Sequence, residues 1–159
     1  MSGSLPKMRW PGFGNDKKLL QSALRVVTLA FAMRKIILAV DDDTPTLELL
    51  EDIFLLHSDY KFHSATNGKD ALKLARKLQP DLILLDIRMP DMNGYEVIEE
   101  LKSDDRTAMI PVIMLSGLSD EEAKIKSAER YSESYLTKPF TPGELMAKVE
   151  EVLRRHGCQ

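Results

Sequence analysis

Two aliphatic runs that each end in aspartate constrain this chain more than any other feature. Leu82-Ile83-Leu84-Leu85-Asp86 is followed by the breakers Pro90 and Gly94, and Ile36-Ile37-Leu38-Ala39-Val40 runs into Asp41-Asp42-Asp43. Short, unbroken apolar runs bounded by turn residues read as strands buried on both faces, as in a parallel sheet covered by helices. In open parallel sheets, ligand chemistry gathers at the carboxyl edge of the strands. The aspartates stand at that edge, which makes Asp86 the first functional candidate. Taken alone, it would serve equally well as a turn residue closing its strand.

The intervening segments complete an alternation. Leu47, Leu50, Ile53 and Phe54 share one face of a helix introduced by Thr44, a residue able to cap, and Pro45, which suits the first turn. Tyr60 to Ala65 reads as a weaker strand. Asn67 is placed to cap a helix carrying Ala71, Ala75 and Leu78, which Pro80 stops. After Gly94 a helix runs through Val97, Ile98 and Leu101, and Pro111 to Leu115 forms an apolar strand ending at Ser116-Gly117. Ser119 and Glu122 make a capping box for a sparsely hydrophobic helix reaching about Arg130. Tyr135-Leu136-Thr137 is a short strand ending at Lys138-Pro139-Phe140. Thr141 and Glu144 then form a second capping box, before a helix with Leu145, Val149, Val152 and Leu153 on one stripe. Strand and helix thus alternate five times, which predicts right-handed βαβ units and an α/β fold.

A chain of 159 residues is long enough to bury one core without staples. Its single cysteine, Cys158, can form no internal disulfide. With 22 basic and 25 acidic residues it lacks the positive excess that nucleic-acid binding uses, so no direct nucleic-acid partner is expected. The apolar runs fall short of the roughly 20 residues that span a bilayer. A soluble, cytoplasmic protein without membrane insertion is expected. Residues 1–33 differ in character: Pro6, Trp10-Pro11-Gly12 and Gly14 break any period, whereas Leu20, Leu24, Val27 and Phe31 recur at the spacing of one short amphipathic helix. A secretory leader is disfavoured there, because Arg25 interrupts the apolar stretch.

At the carboxyl ends of the predicted strands stand Asp41, Asp42 and Asp43, then Asp86, Ser116 and Lys138. Carboxylates about 4 Å apart repel by roughly 4 kcal/mol per pair at an effective dielectric near 20. A divalent cation removes that conflict, and an all-oxygen ligand set with room for water suits Mg²⁺. A carboxylate nucleophile, a hard cation, a lysine and a hydroxyl together make a site for phosphoryl transfer.

From Ile36 to Arg155 the chain resembles the receiver domain of two-component response regulators. The resemblance is carried by Asp41-Asp42, by the segment from Asp86 through Met89-Pro90, Met92 and Gly94, by Ser116 after an aliphatic strand, and by Lys138-Pro139-Phe140. Asn67-Gly68 and Tyr135 also match. It implies a flavodoxin-like, doubly wound five-stranded parallel sheet of order 2-1-3-4-5 with helices on both faces. It further implies that Asp86 is the phosphoacceptor for a histidine kinase or histidine phosphotransfer protein. Asp42, Asp86 and the backbone carbonyl of Arg88 would ligate Mg²⁺, with Asp41 assisting through water. Ser116 and Lys138 would engage the phosphoryl group, Tyr135 would change rotamer, and the peptide bond before Pro139 would be cis. The chain would signal by a conformational switch read by a downstream protein partner rather than act as an enzyme on a separate substrate; a homodimer is left open. The implied division is an extension at 1–33, a receiver at 34–156 and a tail at 157–159. Met33-Arg34-Lys35-Ile36 is a natural beginning for such a domain, so the extension is expected to be dispensable for folding.

Three features depart from or flank the family pattern. Tyr131 replaces a usually small residue, Ser116-Gly117 replaces the commoner Thr-Ala, and Arg88 and Leu118 occupy variable positions beside the site. Plainer assignments suit other residues: Asp43 and Asp91 as turn residues, His57, His63 and His156 as surface or packing groups, and Met89 and Met92 as packing rather than soft-metal ligands. A haloacid-dehalogenase-type phosphatase would need Thr or Val where Pro45 stands, and would turn over a phosphate ester.

Overall fold

The computed structural model describes residues 17–32, 34–117 and 134–157. The chain divides into two units, 1–33 and 34–159. In the first, helix α1 spans Lys17–Ala32. The second holds β1 (Lys35–Val40), α2 (Thr44–Leu55), β2 (Tyr60–Ala65), α3 (Gly68–Leu78), β3 (Leu82–Asp86), α4 (Gly94–Ser103), β4 (Val112–Ser116), β5 (Ser134–Thr137) and α5 (Pro142–His156). The sheet has five strands in the order β2-β1-β3-β4-β5, all paired in parallel. This is the doubly wound α/β fold that the alternation predicts.

Side chains of successive strand residues point to opposite faces, and both faces are apolar. Leu38, Val40, Ile83, Leu85, Val112 and Met114 pack with residues of α3 and α4, among them Ala71, Ala75, Val97 and Leu101. Ile37, Ala39, Leu82, Leu84, Ile113 and Leu115 pack on the other face with Leu50 and Phe54 of α2 and Leu145 and Val149 of α5. The unbroken apolar runs β1, β3 and β4 are the central strands, because only a strand covered on both sides can keep every side chain dry. Edge strands β2 and β5 are only half-buried, which explains their weaker sequence signal.

The helix ends differ from the sequence reading in one place. The cap of α2 is Asp43, not Thr44: the Asp43 carboxylate accepts from the Thr46 backbone N–H at 3.1 Å and its hydroxyl at 2.6 Å. A carboxylate also suits the positive end of the helix dipole, and Thr44-Pro45 follow inside the first turn. Asn67 caps α3 as expected, accepting from the Asp70 N–H at 2.9 Å. Thr141 and Glu144 form the expected capping box on α5. A further box, Asn93 with Glu96, opens α4. The helix expected from Ser119 to Arg130 lies outside the described residues, as do Leu118 and Tyr131.

Candidate functional site

The ends of β1, β3, β4 and β5 deliver polar groups to the carboxyl edge of the sheet. Asp41 follows β1, its N–H held by the Ala65 carbonyl at 3.2 Å. Asp86 closes β3, and the next residue, Ile87, donates to the Leu115 carbonyl at 3.1 Å. Ser116 closes β4, and its carbonyl accepts the Lys138 N–H at 2.7 Å, which fastens the lysine beside the central strands. The Lys138–Pro139 peptide bond is cis, as the resemblance implied.

The side chains meet. Lys138 Nζ lies 2.6 Å from Asp41 Oδ2 and 2.6 Å from Asp86 Oδ1. The other Asp41 oxygen accepts from the Asp43 N–H at 2.9 Å, so this buried carboxylate is held from two sides. One oxygen each from Asp41, Asp42 and Asp86 fall within 4.8 Å of one another, with Asp42 exposed to solvent. Against three carboxylates stands one ammonium, so the cluster keeps an excess of negative charge that a divalent cation would neutralise. The donors are all oxygen and one ligand faces water, which fits Mg²⁺. The Arg88 N–H also bonds the Asp86 carboxylate, bringing the backbone of that residue to the site.

Electrostatics follow from the burial. The Asp86 carboxyl is pushed up from its ordinary range by burial first and then by the Asp41 charge, against the opposing hydrogen bond from Lys138. Burial works to lower the Lys138 pKa, but its hydrogen bonds to Asp41 and Asp86 outweigh that effect and raise it. The lysine therefore stays charged, and Asp86 is a more basic carboxylate than one on the surface. Ser116 is buried, and its Oγ has no hydrogen-bond partner among the described residues. A buried hydroxyl without a partner is costly.

Of the candidates, Asp41, Asp42, Asp86 and Lys138 form one cluster, and Ser116 and Arg88 join it through the strand-end hydrogen bonds. Tyr135 packs half-buried beside the core face shared by α3 and α4. Asp43 lies outside the set as a helix cap, and Asp91 occupies an exposed turn at φ 67°. From sequence alone Gly94 reads as a breaker after β3 and as one position of the segment that carries the resemblance. In the fold its N–H bonds the Ile87 carbonyl at 2.9 Å, and a Cβ there would strike the carbonyl oxygen of Asp86. Its place eight residues after a strand-ending aspartate is visible in the sequence, but the close backbone approach is not.

Metal affinity separates the adjacent aspartates. Asp42→Ala is expected to weaken Mg²⁺ binding by at least about tenfold, since it removes one carboxylate of the cluster, while Asp43→Ala leaves it within about twofold and costs only a helix cap, about 1 kcal/mol. Titration of backbone amide shifts with Mg²⁺ checks both, and equal losses would put the acidic pair out of register.

A family model described as the response regulator receiver domain matches residues 37–150. The chain is 42% identical over 119 residues to the DNA-binding dual master transcriptional regulator RpaA of Synechocystis sp., a match covering 75% of this chain and 49% of RpaA. It is 41% identical over 123 residues to the phosphate regulon transcriptional regulatory protein PhoB of Pseudomonas aeruginosa, covering 77% and 53%. The chain thus spans about half the length of the curated relatives it matches. Among solved structures, a CheY-like response regulator receiver domain protein from Methanospirillum hungatei superposes with a TM-score of 0.71 at 29% identity, over 78% of this chain and 97% of that one. The Vibrio cholerae chemotaxis protein CheY4 gives 0.69 at 28%, over 75% and 98%. With a family model matched over residues 37–150 on a parallel sheet of order 2-1-3-4-5, the chain belongs to the response regulator receiver domain family.

Proposed function

We propose that the chain acts as a response regulator receiver that accepts a phosphoryl group on Asp86 from a histidine kinase or histidine phosphotransfer protein. The observation that carries this reading is the meeting of Asp86 with Asp41, Asp42 and Lys138, together with a buried Ser116 hydroxyl that has no partner among the described residues. A carboxylate oxygen of Asp86 attacks phosphorus in line with the donor; the O–P bond forms as the donor's N–P bond breaks, and the leaving imidazole nitrogen takes up a proton. Lys138 offsets the charge gathering on the phosphoryl oxygens, and the Ser116 hydroxyl donates to one of them. Mg²⁺, when held by Asp42, Asp86 and the Arg88 carbonyl with Asp41 assisting through water, would neutralise phosphoryl charge. As Ser116 moves toward the phosphoryl group, Tyr135 on the neighbouring strand changes rotamer, and the altered surface is read by a protein partner.

The DNA binding in the name of RpaA describes a protein of which the stretch matched here covers only 49%. The acidic balance of residues 34–159, with 17 basic and 24 acidic residues, supports a protein-read output here. Incubation with acetyl phosphate tests the reading: stoichiometric labelling that requires Mg²⁺ is expected, whereas continuous turnover of a phosphate ester would favour a phosphatase. Lys138→Ala and Ser116→Ala should still accept phosphate but keep amide shifts around β4 and β5 close to the unphosphorylated state. A full wild-type shift pattern in either variant would remove it from the switch.

The receiver boundary is proposed at residues 34–156. A chain beginning at Met33 is expected to melt within about 2 °C of the full chain and to be labelled equally, because the sheet and both of its apolar faces are built from residues after 34. A clear drop in melting temperature would move the boundary upstream.

A further inference from the structure

The charge of the chain is divided between its two units. Residues 1–33 carry five basic residues, Lys7, Arg9, Lys17, Lys18 and Arg25, against the single acid Asp16, for a net charge of +4; residues 34–159 carry a net −7. Helix α1 contains no acidic residue. At 3.6 residues per turn Lys18, Gln21, Ser22, Arg25 and Thr28 fall in one arc, and Leu19, Ala23, Leu24 and Val26 fall in the other. Leu19, Leu24 and Val26 are 62%, 66% and 65% exposed.

Three large apolar side chains left in water on one helix call for a covering surface. The candidates differ in what they can satisfy. A second copy would bring the same positive charge against this one. A nucleic acid would neutralise the cations and leave the apolar arc wet. An anionic lipid interface accepts both arcs at once, because headgroups pair with the cations while the acyl boundary takes the leucines and valine. At 16 residues α1 is too short to span a bilayer, and no described helix is long and apolar enough to do so.

We propose that α1 binds in the plane of an anionic lipid surface, with Lys18 and Arg25 at the headgroups and Leu19, Leu24 and Val26 at the acyl boundary, and that it tethers the receiver there reversibly. The acidic receiver is repelled by the same surface, so α1 supplies the attachment.

The experiment is co-sedimentation of the full chain with vesicles of equal parts phosphatidylglycerol and phosphatidylcholine, beside vesicles of phosphatidylcholine alone. Binding to the anionic vesicles is expected to be at least about tenfold tighter and to weaken as salt is raised. Leu24→Asp with Val26→Asp should abolish it. Lys18→Gln and Arg25→Gln combined should weaken it roughly 25-fold, at about fivefold per cation. An unchanged melting temperature shows the receiver folded in each variant. Failure to sediment with anionic vesicles overturns the proposal, as does equal binding to both compositions or full binding by the Leu24→Asp, Val26→Asp chain. A dimer that the same double variant dissociates, without vesicle binding, overturns it in favour of a second copy.

Discussion

Asp86→Ala is expected to abolish phosphoryl uptake from acetyl phosphate or phosphoramidate while leaving a folded domain. The wild-type chain has one buried carboxylate at the end of β3, made basic by burial and by the Asp41 charge, within 2.6 Å of an ammonium that can balance an incoming phosphoryl group. Asp41 cannot take over easily, because it is buried with one oxygen on the Asp43 N–H and the other on Lys138. Asp42 is exposed and lacks such an ammonium contact among the described hydrogen bonds. Removing the Asp86 carboxylate also relieves repulsion among the three acids, so the variant should melt no lower than wild type, provided that Lys138 keeps its 2.6 Å contact with Asp41. Intact-mass spectrometry after incubation with donor and Mg²⁺ reads the result directly. Persistent labelling of a folded Asp86→Ala chain would sink the assignment of the phosphoacceptor.

Gly94→Ala is expected to be the most damaging small substitution near the site. A Cβ at Gly94 would strike the Asp86 carbonyl oxygen and stand 3.0 Å from the Ile87 Cα, and both are backbone atoms anchored by the sheet. Overpacking of this kind costs roughly 1–3 kcal/mol, a fall of about 4–12 °C in melting temperature for a domain of this size. Because the clash falls on the backbone that carries Asp86, phosphoryl uptake should slow as well. Gly143 is the control: it lies in the first turn of α5, and a Cβ placed there would meet no atom within 4 Å, so Gly143→Ala should stabilise by about 0.5–1 kcal/mol through the helix propensity of alanine. Paired thermal melts decide the matter. If Gly94→Ala melts with wild type, the turn after β3 can yield, and the tight approach of α4 to the phosphoacceptor strand does not position the site.

What local physics controls is legible from the residues. Unbroken apolar runs can stay dry only in the middle of a covered sheet, so β1, β3 and β4 can be read directly, together with the aspartates and the serine that close them. The caps Asn67 and Thr141 are equally plain, because their hydrogen bonds span only three residues. Where two adjacent residues could each cap, as with Asp43 and Thr44, the choice needs coordinates, since it depends on which side chain meets the Thr46 N–H. Only the folded chain reveals that Lys138 bridges Asp41 and Asp86 across 97 and 52 residues of sequence, and that Ser116 keeps a buried hydroxyl without a described partner. The same holds for the requirement that Gly94 lack a side chain. These facts arise from the parallel packing of strands distant in sequence, which brings their ends to one edge; no local pattern carries the distances between them.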